Sequence, residues 1–295
     1  MRELSVLIPA RNEDFIEQTI ASILKNRRGD TEIIVFLDGY EPKPPIKNHP
    51  DVKIIKSSTS IGQRAAANAA AAESDARNIM KLDAHCIVGP GFDTTLMSDH
   101  HPAWTVVPSM YDLHAFDWEC VGCGGRSIQG SKPVSCQKCG CKAGFVRREV
   151  FDKRNVPPTD YWVIDQTFVV SEDRYRRPSP YPTEEIMCTL GCCFFMDHDR
   201  FDMLGGLDEE HGSWGQMGIE IACKAWLSGG ALVLNKAAWF AHLRRTRPGF
   251  NFPYKQDGKQ IVHAHRYSMD LWLNDKWPLA KRPYKWLRNK FQKTQ

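Results

Sequence analysis

No stretch of this 295-residue chain is apolar for long enough to cross a bilayer, and its first residues carry neither a basic leader nor a hydrophobic signal core. The expectation is a protein without membrane anchor or secretion signal, working in a reducing cytoplasm (a prokaryotic or virus-infected cell). In that setting the ten cysteines are not counted as disulfides. Internal repeats and low-complexity linkers are missing too, which excludes a repeat array. Residues 276–295 contain no acid but seven basic residues, Lys276, Lys281, Arg282, Lys285, Arg288, Lys290 and Lys293. The net charge of the whole chain, +4, is too small to name a partner. Finally, the first strand is not followed by a glycine-rich basic loop. Pro9-Ala10-Arg11-Asn12-Glu13 stands there instead, which argues against a sugar-1-phosphate nucleotidyltransferase.

What is present reads as an α/β protein, one large domain or one domain with a small insert. Residues 4–9 and 32–37 are short apolar strands. Between them Phe15, Ile16, Ile20, Ile23 and Leu24 form a helical stripe, with Asn12 as the expected cap and Gly29 as the stop. Such a unit belongs to a parallel sheet. Residues 52–55 predict a third strand. Residues 62–72 predict an alanine-rich helix on which Arg64 and Asn68 share a face. Further strands are expected at 104–109, 189–196 and 231–234, an apolar approach to a polar turn at 239–242, and helices at 199–204 and 216–227. The chain from 118 to 144 reads as irregular, and the tail from His263 as helical.

The centre of the pattern is residues 78–91, NIMKLDAHCIVGPG. A buried strand ends in Asp83-Ala84-His85, and residues two apart in an extended segment point to one face. A carboxylate and an imidazole at the carboxyl end of a core strand suit a divalent cation carrying phosphate, Mn²⁺ more naturally than Mg²⁺. A second metal signal is Cys120-x2-Cys123 followed by Cys136-x2-Cys139. Two such knuckles make a closed Cys₄ zinc site, structural rather than catalytic, with Cys141 as a possible substitute for Cys139. Cys86, Cys188, Cys192, Cys193 and Cys223 lie in apolar runs and read as buried thiols.

These motifs resemble family 2-like glycosyltransferases of the GT-A fold, and among them the polypeptide N-acetylgalactosaminyltransferases. SVLIPARNED is similar to the opening strand and nucleotide loop, EIIVFLDGY to the second strand, LDAHCIVGPGFDTTLM to the metal motif. The block from GCCFFMDHDRF to AHLRR is similar to the acceptor side. The resemblance implies a metal-dependent enzyme that moves a sugar from a nucleotide-sugar donor, a UDP-sugar first, to a hydroxyl. It implies a mostly parallel sheet with flanking helices, and a site with Asp83, His85 and His242 on Mn²⁺ or Mg²⁺. Glu220 is carried over as a catalytic acid, and Asp38, Arg64, Arg11, Glu13 and Trp214 as donor-binding residues, with Arg244 or Arg245 assisting. The expected division is a nucleotide-sugar half (1–117), a zinc-ribbon insert (118–145), an acceptor half (146–255) and a basic aromatic tail (256–295).

Three departures shape the expectation. Where the family keeps Trp-Gly-Gly-Glu-Asn-x-Glu, this chain has Trp214-Gly215-Gln216-Met217-Gly218-Ile219-Glu220. Met217 replaces the acid that inverting relatives use as base, which favours retention of configuration. The zinc insert has no counterpart in the galactosaminyl enzymes, and their anchor and lectin domain are not found. The acceptor is open between nucleic acid (a hydroxylated base in DNA, for instance), protein and glycan. Zinc ribbon, basic tail and Trp272, Trp277, Tyr284 and Trp286 would form a nucleic-acid grip, or the aromatics would simply pack on the domain. A different class, an inactive fold that only binds nucleic acid, is disfavoured by the survival of all three metal-site residues.

Overall fold

The computed structural model describes residues 1–142, 144–245, 249–254 and 257–292, so Lys293 of the basic tail lies outside the described residues. In chain order the strands are β1 (Leu4–Ala10), β2 (Thr31–Asp38), β3 (Val52–Ser57), β4 (Asn78–Leu82), β5 (Cys86–Val88), β6 (Trp104–Cys120), β7 (Arg126–Ile128), β8 (Phe145–Lys153), β9 (Trp162–Ile164), β10 (Val170–Glu172), β11 (Thr183–Glu185), β12 (Cys193–Asp197) and β13 (Ala231–His242). The helices are α1 (Ile16–Asn26), α2 (Gln63–Ala72), α3 (Phe92–Ser98), α4 (His198–Met203), α5 (Met217–Leu227), α6 (Gly258–Leu273) and α7 (Tyr284–Phe291).

One sheet runs β11-β13-β6-β12-β4-β1-β2-β3. The expectation of a mostly parallel sheet is corrected to a mixed one. Pairing is parallel among β3, β2, β1 and β4 and again between β6 and β13, but β12 lies antiparallel between these two blocks. Apolar side chains of both sheet faces are covered. On one face the alanines of α2 (Ala66, Ala67, Ala70, Ala71) allow close approach, and α5 and Trp272 complete the layer. On the other, Ile16, Ile20 and Ile23 of α1 meet Phe92 and Leu96 of α3. Burial on both sides is why β1, β2 and β4 read as mainly apolar runs.

Several boundaries differ from expectation, each for a local reason. Asn12 does not cap α1: it has a left-handed backbone (φ 49°), and Phe15 occupies the cap position. The strand expected at 104–109 continues to Cys120, into the start of the segment read as irregular, because its far half finds partners in β7 and β8. The strand expected at 231–234 runs on through the apolar approach at 239–242, with a register shift between Asn235 and Trp239. The tail aromatics take the packing alternative. Trp272, Trp277 and Tyr284 are buried, and Trp286 lies against Trp226. Among the described residues no helix is long and apolar enough to cross a membrane.

Candidate active site

β4 stops at Leu82, and Asp83 leaves the ladder with its N–H donating to the Cys192 carbonyl (3.0 Å). His242, the last residue of β13, is in register with Cys86 on one side and Asp112 on the other. Two strand ends far apart in sequence thus bring Asp83, His85 and His242 together, one ligand atom of each lying within 4.8 Å of the others. The two imidazole centroids are 4.9 Å apart. Neither ring nitrogen of His242 has a hydrogen-bond partner among the described residues, and Nε2 faces Asp83 Oδ2 at 3.3 Å. Burial holds His242 below the ordinary imidazole value, against the pull of Asp83, so the ring is neutral near pH 7, the ligating form. Burial also opposes ionisation of Asp83, but the Lys81 ammonium and the imidazoles overcome it and keep the carboxyl well below its usual range. A carboxylate oxygen and two imidazoles, one of them with an orphaned buried nitrogen, are a donor set that fits Mn²⁺.

The residues behind these three were only partly visible in sequence. Glu13, expected on the donor, instead accepts from His85 Nδ1 (3.0 Å) and pairs with Arg245. A carboxylate can only accept, so the proton belongs on Nδ1 and the Nε2 lone pair is left for a ligand. Arg245, bound also to the Asn251 carbonyl (2.8 Å), is buried and holds Glu13 rather than facing a phosphate. Arg244 is engaged with Asp112 (2.9 Å). Lys81 and Gln63 both donate to Asp83, and neither was singled out: a lysine in an apolar strand carries no signal beyond its own incongruity.

Three other expectations are corrected. Asp38 is fully buried and accepts from Ser60 Oγ (2.9 Å), Ile61 N–H (2.6 Å) and Gly62 N–H (3.1 Å), so it shapes the turn into α2. Arg64 is buried as well, donating to Glu220 (2.7 Å) and to the Gly215 carbonyl (2.7 Å), and offers nothing to a phosphate. Glu220, carried over as a catalytic acid, has no solvent exposure. It is held by Arg64, by the expected i, i+4 partner Lys224 (3.1 Å) and by the Asp208 N–H (2.5 Å). Arg64 and Asn68 do share a face, and both bind the 207–215 segment. Arg11 is half-buried, donating to the Asp38 carbonyl (2.8 Å), and Trp214 lies half-buried in the loop that Arg64 holds.

The Glu220 network makes a stability prediction. Burial raises the Glu220 carboxyl, but Lys224 and Arg64 outweigh it and bring it down to about 2. A depressed carboxyl stabilises above its unfolded value and loses that contribution as pH falls through the folded one. Thermal midpoints of the wild type should therefore drop between about pH 4.5 and pH 2. Glu220→Ala strands two buried cations and is expected to cost about 3–5 kcal/mol, read by urea unfolding at pH 7.

Comparison with known proteins agrees with this geometry. Residues 5–111 match the model of glycosyl transferase family 2. That span is similar to a family 2 glycosyltransferase domain. Polypeptide N-acetylgalactosaminyltransferase 3 of Taeniopygia guttata is 22% identical over 235 residues, 78% of this chain and 34% of the relative. The human enzyme of the same name is 22% identical over 231 residues, 78% and 33%. The chain thus spans about a third of the length of these curated relatives. Among solved structures, GalNAc-T7 with UDP, GalNAc and Mn²⁺ aligns at TM-score 0.69 and 15% identity, covering 99% of this chain and 56% of that one. Residues 1–349 of S. aureus TarS with UDP-GlcNAc align at 0.58 and 11%, covering 97% and 69%. The fold is GT-A.

β6 leads out of the matched span into the cysteine turns. Cys120 and Cys139 have sulfurs 3.9 Å apart, Cys123 and Cys136 3.6 Å, and all four lie within 4.8 Å of one another. A tetrahedron with metal–sulfur bonds of about 2.3 Å has edges of about 3.8 Å, so the spacing fits zinc. The two knuckles are alike: Gly124 N–H closes on the Cys120 carbonyl and Gly140 N–H on that of Cys136, both glycines left-handed. Backbone N–H groups of Cys139 and Lys138 lower the Cys136 thiol, while hydrogen bonds among the clustered sulfurs push Cys139 the other way. Cys141 is not one of the four clustered sulfurs. Just past the cysteine turns, Arg147 of β8 stacks over Phe15 and Phe116, 4.8 and 4.2 Å from the ring centres.

Proposed function

We propose that this chain transfers a sugar from a UDP-sugar to an acceptor hydroxyl, with Asp83, His85 and His242 holding a divalent cation, Mn²⁺ in the first place. The observation that carries this reading is the convergence of those three side chains at strand ends of a GT-A sheet. When bound, the cation would neutralise the diphosphate as it leaves the sugar. The protein's own part is orientation. Glu13 fixes the His85 tautomer, Arg245 fixes Glu13, and Lys81 with Gln63 fixes Asp83. Zinc in the ribbon is assigned a structural role.

Retention of configuration is the favoured course. The first turn of α5 offers Met217, which has no base, and Glu220, which is locked between Arg64 and Lys224. A back-side attack would therefore lack its proton acceptor on this helix. For the acceptor, one observation favours nucleic acid. The segment before β11 exposes Arg174, Tyr175, Arg177 and Tyr181, cations interleaved with open rings, as a single strand requires. Tyr175 is 91% exposed. The tail aromatics no longer support that reading, since they pack on the domain.

One experiment tests all three levels. UDP-sugars are incubated with the protein and Mn²⁺, alone and with hydroxymethylated DNA, peptide and glycan acceptors, and products are read by mass spectrometry and NMR. Donor hydrolysis is expected without acceptor, and an α-linked product on DNA. Failure of every donor would remove the transferase reading and leave a binding module, a β-linked product would remove retention, and transfer to peptide or glycan alone would remove the DNA acceptor.

A further inference from the structure

The two oxygens of Asp83 are not equivalent. Oδ1 accepts from Lys81 Nζ and from Gln63 Nε2 (2.9 Å), whereas Oδ2 faces His242. Lys81 lies two residues before Asp83 in β4, on the same side of the strand, and its remaining contact is the Gly191 carbonyl at 3.0 Å. It is 1% exposed, in a strand whose neighbouring members Ile79, Met80 and Leu82 are apolar. A buried ammonium is costly, and an apolar residue of similar volume would usually stabilise such a strand at least as well. Fold stability is therefore a poor account of Lys81. Its contacts point to the carboxylate.

We propose that Lys81 is a positioning residue that occupies Asp83 Oδ1, so that the aspartate meets a divalent cation through Oδ2 alone and the site disfavours Ca²⁺. Ca²⁺ gathers six to eight oxygens and readily takes both oxygens of one carboxylate, while Mn²⁺ accepts imidazole with a single carboxylate oxygen. With Oδ1 held by two donors, the second Ca²⁺ contact is denied. The like charge of the ammonium opposes any divalent cation. Only the loss of chelation discriminates between the two ions, and that makes the inference separable from simple electrostatics. It rests on the reading of Asp83, His85 and His242 as a cation site.

The test is isothermal titration of Mn²⁺ and Ca²⁺, each alone, into the wild type, Lys81→Met, Gln63→Ala and Asp83→Asn. Lys81→Met keeps the volume without the charge, and Gln63→Ala lies at the partly exposed start of α2, where the fold is not at stake. Lys81→Met is expected to tighten Ca²⁺ at least tenfold more than Mn²⁺, and Gln63→Ala to shift the ratio the same way by a smaller factor. Equal tightening of both ions would overturn the inference, because Lys81 would then act only as a charge. An unchanged ratio in both variants would overturn it as well, and Gln63→Ala decides alone if Lys81→Met does not fold. Mn²⁺ binding that survives Asp83→Asn, or a wild type that binds no Mn²⁺, would instead remove the cation site itself.

Discussion

Replacing His242 by alanine is expected to reduce donor turnover on the order of 10³-fold with the protein still folded. The size follows from the several kcal/mol that a bound cation contributes to a developing diphosphate charge, at about 1.4 kcal/mol per decade. The intact fold follows from the structure: the contact of His242 with Asp83 Oδ2 is the one its removal takes away, and Asp83 keeps Lys81 and Gln63 on its other oxygen. Asp83→Asn should lose as much, because an amide is a poor substitute for the anionic ligand. Asp83→Ala is the less clean experiment, since it also leaves Lys81 buried without its carboxylate. Two measurements check this together. Mn²⁺ should raise the melting temperature of the wild type in proportion to its occupancy and leave that of His242→Ala unmoved. Full turnover, or an undiminished Mn²⁺ effect on melting, in His242→Ala would remove the imidazole from the site.

The second large effect is expected from the ribbon. Cys120→Ser should release zinc, from one ion per chain to nearly none by atomic absorption, because a structural site contributes roughly 10–16 kcal/mol and depends on all four thiolates. The cost should appear as early melting of β7 and β8, seen as loss of amide protection there, while Mn²⁺ binding at Asp83, His85 and His242 persists. Cys139→Ser should behave like Cys120→Ser, and Cys141→Ser should keep its zinc. Unchanged zinc content in Cys120→Ser would overturn the site, and zinc loss in Cys141→Ser but not Cys139→Ser would reassign its fourth ligand.

What could be read from the chain was whatever local spacing encodes. Asp83 and His85 share a face because a strand repeats every two residues, and the cysteine knuckles announce themselves by their interval. The Glu220–Lys224 pair was visible for the same reason, being one helical turn apart. Partners decided by packing were not visible. Glu220 meets Arg64 across 156 positions, and that meeting turns an apparent catalytic acid into an internal brace. Asp38 was misread because its ligands, the N–H groups of Ile61 and Gly62, belong to a turn no side-chain pattern marks. Glu13 was assigned to the donor because its loop suggested one, whereas it serves His85, 72 residues away. The far half of β6 was missed because its residues become strand-like only opposite β8.

The unbroken course of Trp104–Cys120 has a consequence for how such proteins can diverge. One backbone carries Val106 in the core, Asp112 beside Arg244, and Cys120 in the metal knuckle, so ribbon and sugar site are joined by a stiff spar rather than a tether. Deleting one residue from its outer half would rotate every following side chain to the opposite side and scatter the thiols. Removing two would only bring the ribbon closer. Among descendants of this chain, length changes in that arm should therefore come in even numbers.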